Sequence, residues 1–580
     1  IYKPSNLNRG QDPINTCTSQ NLPTFMIAPS TGTLLFMHSN TNNVKKIQYL
    51  IRRAFHWQYW KQQKENSGEY GWKISKRILG AGAVACTVYA LCKYFGISPS
   101  KQDNQKPVNV SKYPAKSEDI PDEVEYLIVG GGAAAFSASR TIKGRDATAK
   151  ILIISKEPHY PYMKPPLSKE LLFNQNREMA ENLTFPQWNG SVRSIFFEVD
   201  AFYTPCEELA ESKTGGVAVA RGWQVQSVDS HKKTVTLEDG KSIKYGKCLL
   251  ATGSTPTKLK GIEEQPDYIK ERITYYHNLS DFKQIDHVVK NGAKTFAIFG
   301  NGLLCCELAC AMALRGKSSG VKVIIIMPSK RLMQDILPPY LSQWLRKKFE
   351  SMGITVVRSH KMKRFSIGEN NMLKIALSKK RYLDVDHLVV CTPSKANTEI
   401  AEASRLEVDA HFGGFFANSE LAISSNLYAA GDCASYYDEV LKKRRNLLQY
   451  DNAVVTGRIA GENMTGAEKP LHHQAMLWSE FGSDFGFEAI GILDSGLKTV
   501  GYFRQPDNLQ EATEIDIEHN EIPQRYCHKG VIFYLQNEYI EGILMWNLYD
   551  RLGVARQVLA ERKKYPDLKE VAKLFEVYKD

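Results

Sequence analysis

An α/β protein, with two doubly wound parallel-sheet units and a smaller α+β domain behind them, is what this sequence predicts, and three observations predict it. A strand, a Gly-rich turn and a helix follow one another twice, at 125–142 and again from 294. Two later apolar strands end in Ala251-Thr252-Gly253 and in Gly431-Asp432. Past Trp478 the pattern turns to strands closed by a helical stretch. With 580 residues the chain is long enough for several domains, and 43% apolar residues supply each with a core.

Ahead of these units the composition differs. Residues 1–75 read as an organelle targeting segment, since 1–63 hold one acid, Asp12, among basic and hydroxyl side chains. Residues 76–97 are expected to form a transmembrane helix: Lys76-Arg77 precede an uncharged run at 78–92. That run falls a little short of the ~20 residues a span needs, and Lys93 extends it by snorkelling. Positive charge is denser before the run, which keeps the leader inside and the body outside. Residues 98–121, rich in Ser, Lys, Pro and Asn, read as a linker. The net charge of +12 is spread along the chain, as in a basic organelle protein. Lys442-Lys443-Arg444-Arg445 reads as a solvated loop before it reads as a DNA contact. None of the 11 cysteines forms a Cys-x-x-Cys pair, so no zinc ribbon or dithiol centre is signalled and buried thiols are expected.

The first turn reads Gly130-Gly131-Gly132-Ala133-Ala134-Ala135 after an apolar strand at 125–129. Gly130 makes the tight turn, Gly132 admits a pyrophosphate, and Ala135 lets helix and strand pack closely. The pyrophosphate then rests on N–H groups at the helix N-terminus. An acid after the second strand should hold ribose hydroxyls, and Glu157 is the candidate. With the Ala-Thr-Gly and Gly-Asp strands, this order of motifs resembles the two-dinucleotide flavoproteins of glutathione-reductase fold. The resemblance implies FAD, with Asp432 on its ribityl chain.

The second turn, Gly300-Asn301-Gly302, has its two glycines where a nicotinamide dinucleotide needs them. The third small position is Cys305, a larger residue expected to push helix from strand. After the next strand stands Pro328-Ser329-Lys330-Arg331, with no carboxylate for a ribose 2′-hydroxyl. Ser, Lys and Arg suit a 2′-phosphate better, so both NADH and NADPH stay open, as does a decayed pocket.

Longer runs carry a closer resemblance. Lys164-Pro165-Pro166-Leu167-Ser168-Lys169-Glu170, Gly457-Arg458-Ile459-Ala460-Gly461-Glu462-Asn463 and His473-Gln474-Ala475-Met476-Leu477-Trp478-Ser479 are similar to the apoptosis-inducing factor family. The resemblance covers about 121–580. It implies an FAD domain in two parts (122–254 and 393–472), an NAD(P)H domain at 255–392, and a dimerisation-type domain at 473–580. It also implies a mitochondrial inner-membrane anchor with the body in the intermembrane space. The implied partner is the import receptor of the disulfide relay, in support of respiratory-chain assembly. A homodimer on reduction, release to the nucleus, DNA binding and cell death are implied as well.

By resemblance, FAD contacts fall on Gly130, Gly131, Gly132, Ala133, Ala134, Lys169, Asp432 and Trp478, with Gly431 and Gln226 counted in the same set. Lys169 and Glu307 match a pair that meets beside the flavin and, with Trp478, form the expected catalytic group. A cation there favours the reduced ring. Departures cluster near the nicotinamide. Lys164 and His277 stand for arginines, Leu303 for an aromatic, Ser329 for the ribose acid, Leu448 for a glutamate, and Gln449 and Tyr450 for two histidines. The reading is an FAD-holding oxidoreductase with weak NADH turnover. The other reading is an interaction scaffold stabilised by FAD. No Cys pair follows the first helix, which excludes a disulfide reductase.

Overall fold

The computed structural model describes residues 112–187, 189–482, 485–504, 512–515 and 528–577, the strand at 512–515 by its backbone alone. The expected leader (1–75) and span (76–97) lie outside these residues, and no helix among the described residues is long and apolar enough to cross a membrane. The expected linker, 98–121, is described from Lys112. From there it is docked: Tyr113 bridges Arg221 by paired backbone hydrogen bonds, and the Trp223 indole N–H donates to the Pro114 carbonyl.

The first unit opens with β1 (Glu123–Val129), α1 (Ala133–Arg145) and β2 (Lys150–Ser155). From Tyr126 onward β1 is buried without alternation, as expected of a strand covered on both faces. Its sheet has eight strands. The parallel path runs Leu427–Ala429, Ser242–Leu250, β1, β2, Gly216–Arg221, and an antiparallel hairpin joins its side.

The second unit repeats the plan with β3 (Thr295–Phe299), α2 (Leu303–Ser319), β4 (Lys322–Ile326) and β5 (Thr355–Val357). These strands lie in a five-stranded parallel sheet with Ile273–Tyr275 and His387–Val390. Two short antiparallel strands, Ser254–Pro256 and Ser394–Ala396, carry the chain into and out of this unit. The feared separation at Cys305 does not occur. Its side chain is fully buried against Gly300, whose missing Cβ leaves room for the sulfur-bearing residue. Six of the seven described cysteines are buried, and burial pushes the Cys305 thiol up to about 12.

The third sheet is antiparallel, in the order Met476–Glu480, Gly486–Gly491, Tyr539–Trp546, Gly530–Gln536, Lys498–Arg504, Ala512–Ile515. Helices Leu552–Glu561 and Leu568–Lys573 share its apolar core. Within the polar segment 505–523 lies an edge strand, Ala512–Ile515; the rest of that segment is outside the described residues.

Helix α3 (Tyr450–Met464) returns to the first unit and lies directly on α1. Two glycines permit this. A Cβ on Gly457 would stand 2.3 Å from the Ala134 carbonyl oxygen, and one on Gly461 2.8 Å from that of Ala138. The basic run before α3 is not a solvated loop. Lys443 pairs with Glu541 at 3.0 Å, the Arg444 guanidinium donates to two backbone carbonyls, and buried Arg445 pairs with Asp438 at 2.9 Å. Three of its four charges thus join the first unit to itself and to the third sheet.

Candidate functional site

One cavity of about 830 Å³ runs from the first Gly-rich turn to the third sheet. Gly130, Gly131, Gly132, Ala133, Ala134, Glu157, Lys164, Lys169, His277, Glu307, Gly431, Asp432, Gln449, Tyr450 and Trp478 all line it, and Leu303 and Leu448 do too. Three expected contacts do not. Gln226 faces solvent, because alternation along Val225–Asp229 buries its neighbour Val225 and turns Gln226 outward. Gly300 and Gly302 stand at the parallel turn of the second unit, with Leu303, Leu304 and Glu307 at the start of α2 reaching the cavity.

The two turns are built alike. The Gly130 N–H donates to the Ile154 carbonyl at 2.8 Å, and the Gly300 N–H to that of Ile326 at 3.0 Å. Gly130 has φ +112°, and a Cβ there would sit 2.0 Å from the Ala251 carbonyl oxygen. Only glycine fits. Gly132 has nothing within 4 Å of its absent Cβ, so backbone N–H groups at the α1 N-terminus stay open to an anion.

Charge in the cavity is arranged by burial. At one end the Glu157 carboxylate accepts the Tyr162 hydroxyl at 2.7 Å and lies 3.9 Å from the Lys164 ammonium. Lys164 also lies 3.1 Å from His277 Nε2. Burial, then the Lys164 charge, pulls His277 down to about 3, so the imidazole is neutral at ordinary pH and accepts from Lys164. In the middle, the Ser254 hydroxyl donates to Asp432 at 2.7 Å, while burial pushes that carboxyl up.

At the far end Lys169 and Glu307 form a buried ion pair, Nζ to Oε2 2.9 Å. α2 is apolar on most of its surface, and Glu307 is its buried acid, one turn after Leu303 and Leu304. Both its oxygens are occupied: Ser168 donates to one at 2.6 Å and Ser479 to the other at 3.0 Å. The Lys169 ammonium lies 5.7 Å from the Trp478 ring, which meets Tyr450 edge-on at 5.9 Å. Sequence reasoning missed the three serines. Ser254 directly follows Ala-Thr-Gly and Ser479 directly follows Trp478, but nothing in a chain of letters says which carboxylate a serine meets.

These residues fit FAD. The open face of Gly132 is where a pyrophosphate needs backbone. Buried Gln449 Oε1 and Asn397 Oδ1 line the same cavity with no hydrogen-bond partner, as groups do that await a polar ligand. None of the described cysteines lines it.

Comparison with known proteins agrees. A family model described as pyridine nucleotide-disulphide oxidoreductase matches residues 124–457. A second, the mitochondrion-associated C-terminal domain of apoptosis-inducing factor, matches 460–525 and 506–561. The chain is 42% identical to putative apoptosis-inducing factor 1, mitochondrial, of Drosophila melanogaster, over 80% of this chain and 67% of that one. It is 31% identical to apoptosis-inducing factor 1, mitochondrial, of Dictyostelium discoideum, over 87% of this chain and 93% of that one. Among solved structures, a chain of the covalent putidaredoxin reductase–putidaredoxin complex superposes with TM-score 0.62 at 18% identity, over 78% of this chain and 96% of that one, which speaks for the fold alone. Cavity, paired turns and relatives together place the chain in the pyridine nucleotide-disulphide oxidoreductase family, as an FAD- and NAD(P)H-dependent oxidoreductase with the C-terminal domain of the apoptosis-inducing factors.

Proposed function

We propose that this is a mitochondrial flavin oxidoreductase that holds FAD firmly and accepts hydride from NADH slowly. One observation carries the reading: a single cavity connects an anion-binding turn to a buried Lys169–Glu307 pair. The α1 N-terminus and Gly132 would hold the pyrophosphate, Glu157 a ribose, and Asp432, oriented by Ser254, the ribityl chain. Bound FAD supplies the two-electron chemistry. Lys169 is positioned at the redox end by its ion pair with Glu307, whose carboxylate is itself oriented by two serine donors. Trp478 and Tyr450 wall that end against water.

Slow nicotinamide turnover follows from what lines the approach. Leu303, Leu304 and half-exposed Leu448 offer no hydrogen bond to a carboxamide or ribose. Each missing polar contact costs about 1 kcal/mol, and a few of them weaken binding by orders of magnitude. The same apolar approach favours a second reading, an interaction scaffold for which FAD is a folding ligand. The names of the relatives support a mitochondrial address. A membrane anchor, an intermembrane-space body that binds the disulfide-relay import receptor, dimerisation on reduction, and DNA binding in cell death are part of the proposal. Anaerobic titration with NADH and then NADPH, read at the flavin band, separates the readings. Bleaching supports the oxidoreductase; a flavin that ignores both donors supports the scaffold.

A further inference from the structure

The second Gly-rich turn opens onto the carboxyl edge of the five-stranded sheet, the side on which parallel α/β sheets bind ligands. Three strand ends meet there. The Gly300 N–H is bonded to the end of β4 through the Ile326 carbonyl at 3.0 Å. The end of β4 is in turn stitched to the end of β5. Met327 N–H donates to the Val357 carbonyl at 3.0 Å, Ser359 N–H to Ser329 at 3.0 Å, and His360 N–H to Met327 at 3.1 Å. Two segments far apart in sequence, Pro328-Ser329-Lys330-Arg331 and Arg358-Ser359-His360-Lys361, thereby form one rim.

That rim has a one-sided chemistry. Neither segment contains an acid. Lys330, Arg331, Arg358 and Lys361 are exposed, and none forms an ion pair among the described residues. Elsewhere on this surface such charges are used, as where Lys290 takes both Glu181 and Asp286. The Ser329 hydroxyl bonds back to the Arg331 carbonyl at 3.2 Å, which curls the first segment around the strand end. In a nucleotide fold this strand end meets the adenosine ribose. A carboxylate there accepts a 2′-hydroxyl and repels a 2′-phosphate; four unpaired cations and a serine do the reverse.

We infer that the second nucleotide site is selective for 2′-phosphorylated nicotinamide dinucleotide, NADPH rather than NADH, and that Arg358 and Lys361 on the β5 segment join Lys330 and Arg331 as its specificity residues. The inference rests on the oxidoreductase reading for the identity of the ligand. It adds the chemical class of that ligand and the rim that recognises it. Slow reduction by NADH is then partly the wrong donor meeting the wrong corner.

The test is chosen to be independent of hydride transfer. Calorimetric titration of the FAD-loaded protein at low, fixed ionic strength compares 2′,5′-ADP, 3′,5′-ADP and 5′-AMP. The expected result is that 2′,5′-ADP binds at least about tenfold more tightly than either, the size of one or two charge-assisted hydrogen bonds. Arg358→Ala should cut 2′,5′-ADP affinity about tenfold and leave 5′-AMP unchanged, and Ser329→Glu should abolish the preference. Equal binding of 2′,5′-ADP and 5′-AMP overturns the inference, and so does equal binding of 2′,5′-ADP and 3′,5′-ADP, which would mark general anion attraction. Flavin reduction by NADPH is measured alongside. A 2′-phosphate preference without reduction leaves the inference standing and removes the turnover reading.

Discussion

Replacing Glu307 by Leu is the sharpest test of the site. The variant keeps the side-chain volume and removes the counter-charge of Lys169. Both partners are almost fully buried, with side-chain exposures of 7% and 4%, so the lysine left behind cannot be screened by water. Breaking one side of a buried pair costs about 3–5 kcal/mol. The hydroxyls of Ser168 and Ser479 lose their acceptor too, at roughly 1 kcal/mol each if they find no other. The expected loss is therefore at the upper end of the range. The double variant Lys169→Met with Glu307→Leu removes both charges and should recover most of that loss, since a well-packed apolar pair often matches a buried ion pair. Urea unfolding of wild type, both single variants and the double variant measures the coupling between them. A Glu307→Leu cost below about 1 kcal/mol, or a double variant as unstable as the single, would refute the claim that each of these buried charges is tolerated because of the other.

Three further outcomes follow from the geometry. Gly457→Ala should destabilise by about 1–3 kcal/mol and weaken FAD retention, because its Cβ meets the Ala134 carbonyl, whereas Gly144→Ala, in open space on α1, should stabilise by up to ~1 kcal/mol; thermal melts compare them. Glu488, opposite Trp478 across the strand pair, is pushed up to about 7 by burial and then by Asp550, so it penalises the fold as pH rises from about 4.5 through 7. Glu488→Gln should add roughly 1–2 kcal/mol at pH 8, solvent screening included, and nothing at pH 4.5; equal effects at both would refute the assignment. His277 works in the other direction. Its folded value near 3 lies below the ordinary 6.5, so FAD-depleted protein should lose up to about 1.4 kcal/mol per pH unit between 6.5 and 3, a slope that His277→Gln removes in urea titrations across that window.

The sequence by itself determined the parts whose signal is local. Gly130 and Gly300 announce turns because no other residue takes their backbone path, and the strand and helix beside each are written in adjacent letters. The order of Gly-rich turn, Ala-Thr-Gly and Gly-Asp marked the flavin side for the same reason. Glu307 and Lys169 were legible through the family resemblance, as a matching pair, rather than from their own letters. What only the tertiary structure decided is where chain segments far apart come together. Ser168 and Ser479 converge on one carboxylate across 139 and 172 residues. Burial, with Lys164 brought to it from 113 residues away, leaves His277 uncharged. The Lys443–Arg445 strand proved to be a joint rather than a basic patch, since its counter-charges Glu541 and Asp438 sit on other strands. Gln226 was lost to alternation, whose phase a single residue does not reveal. Arg358 joined Ser329 only through the parallel pairing of β4 with β5, and pairing is set by the burial of whole faces rather than by any one motif.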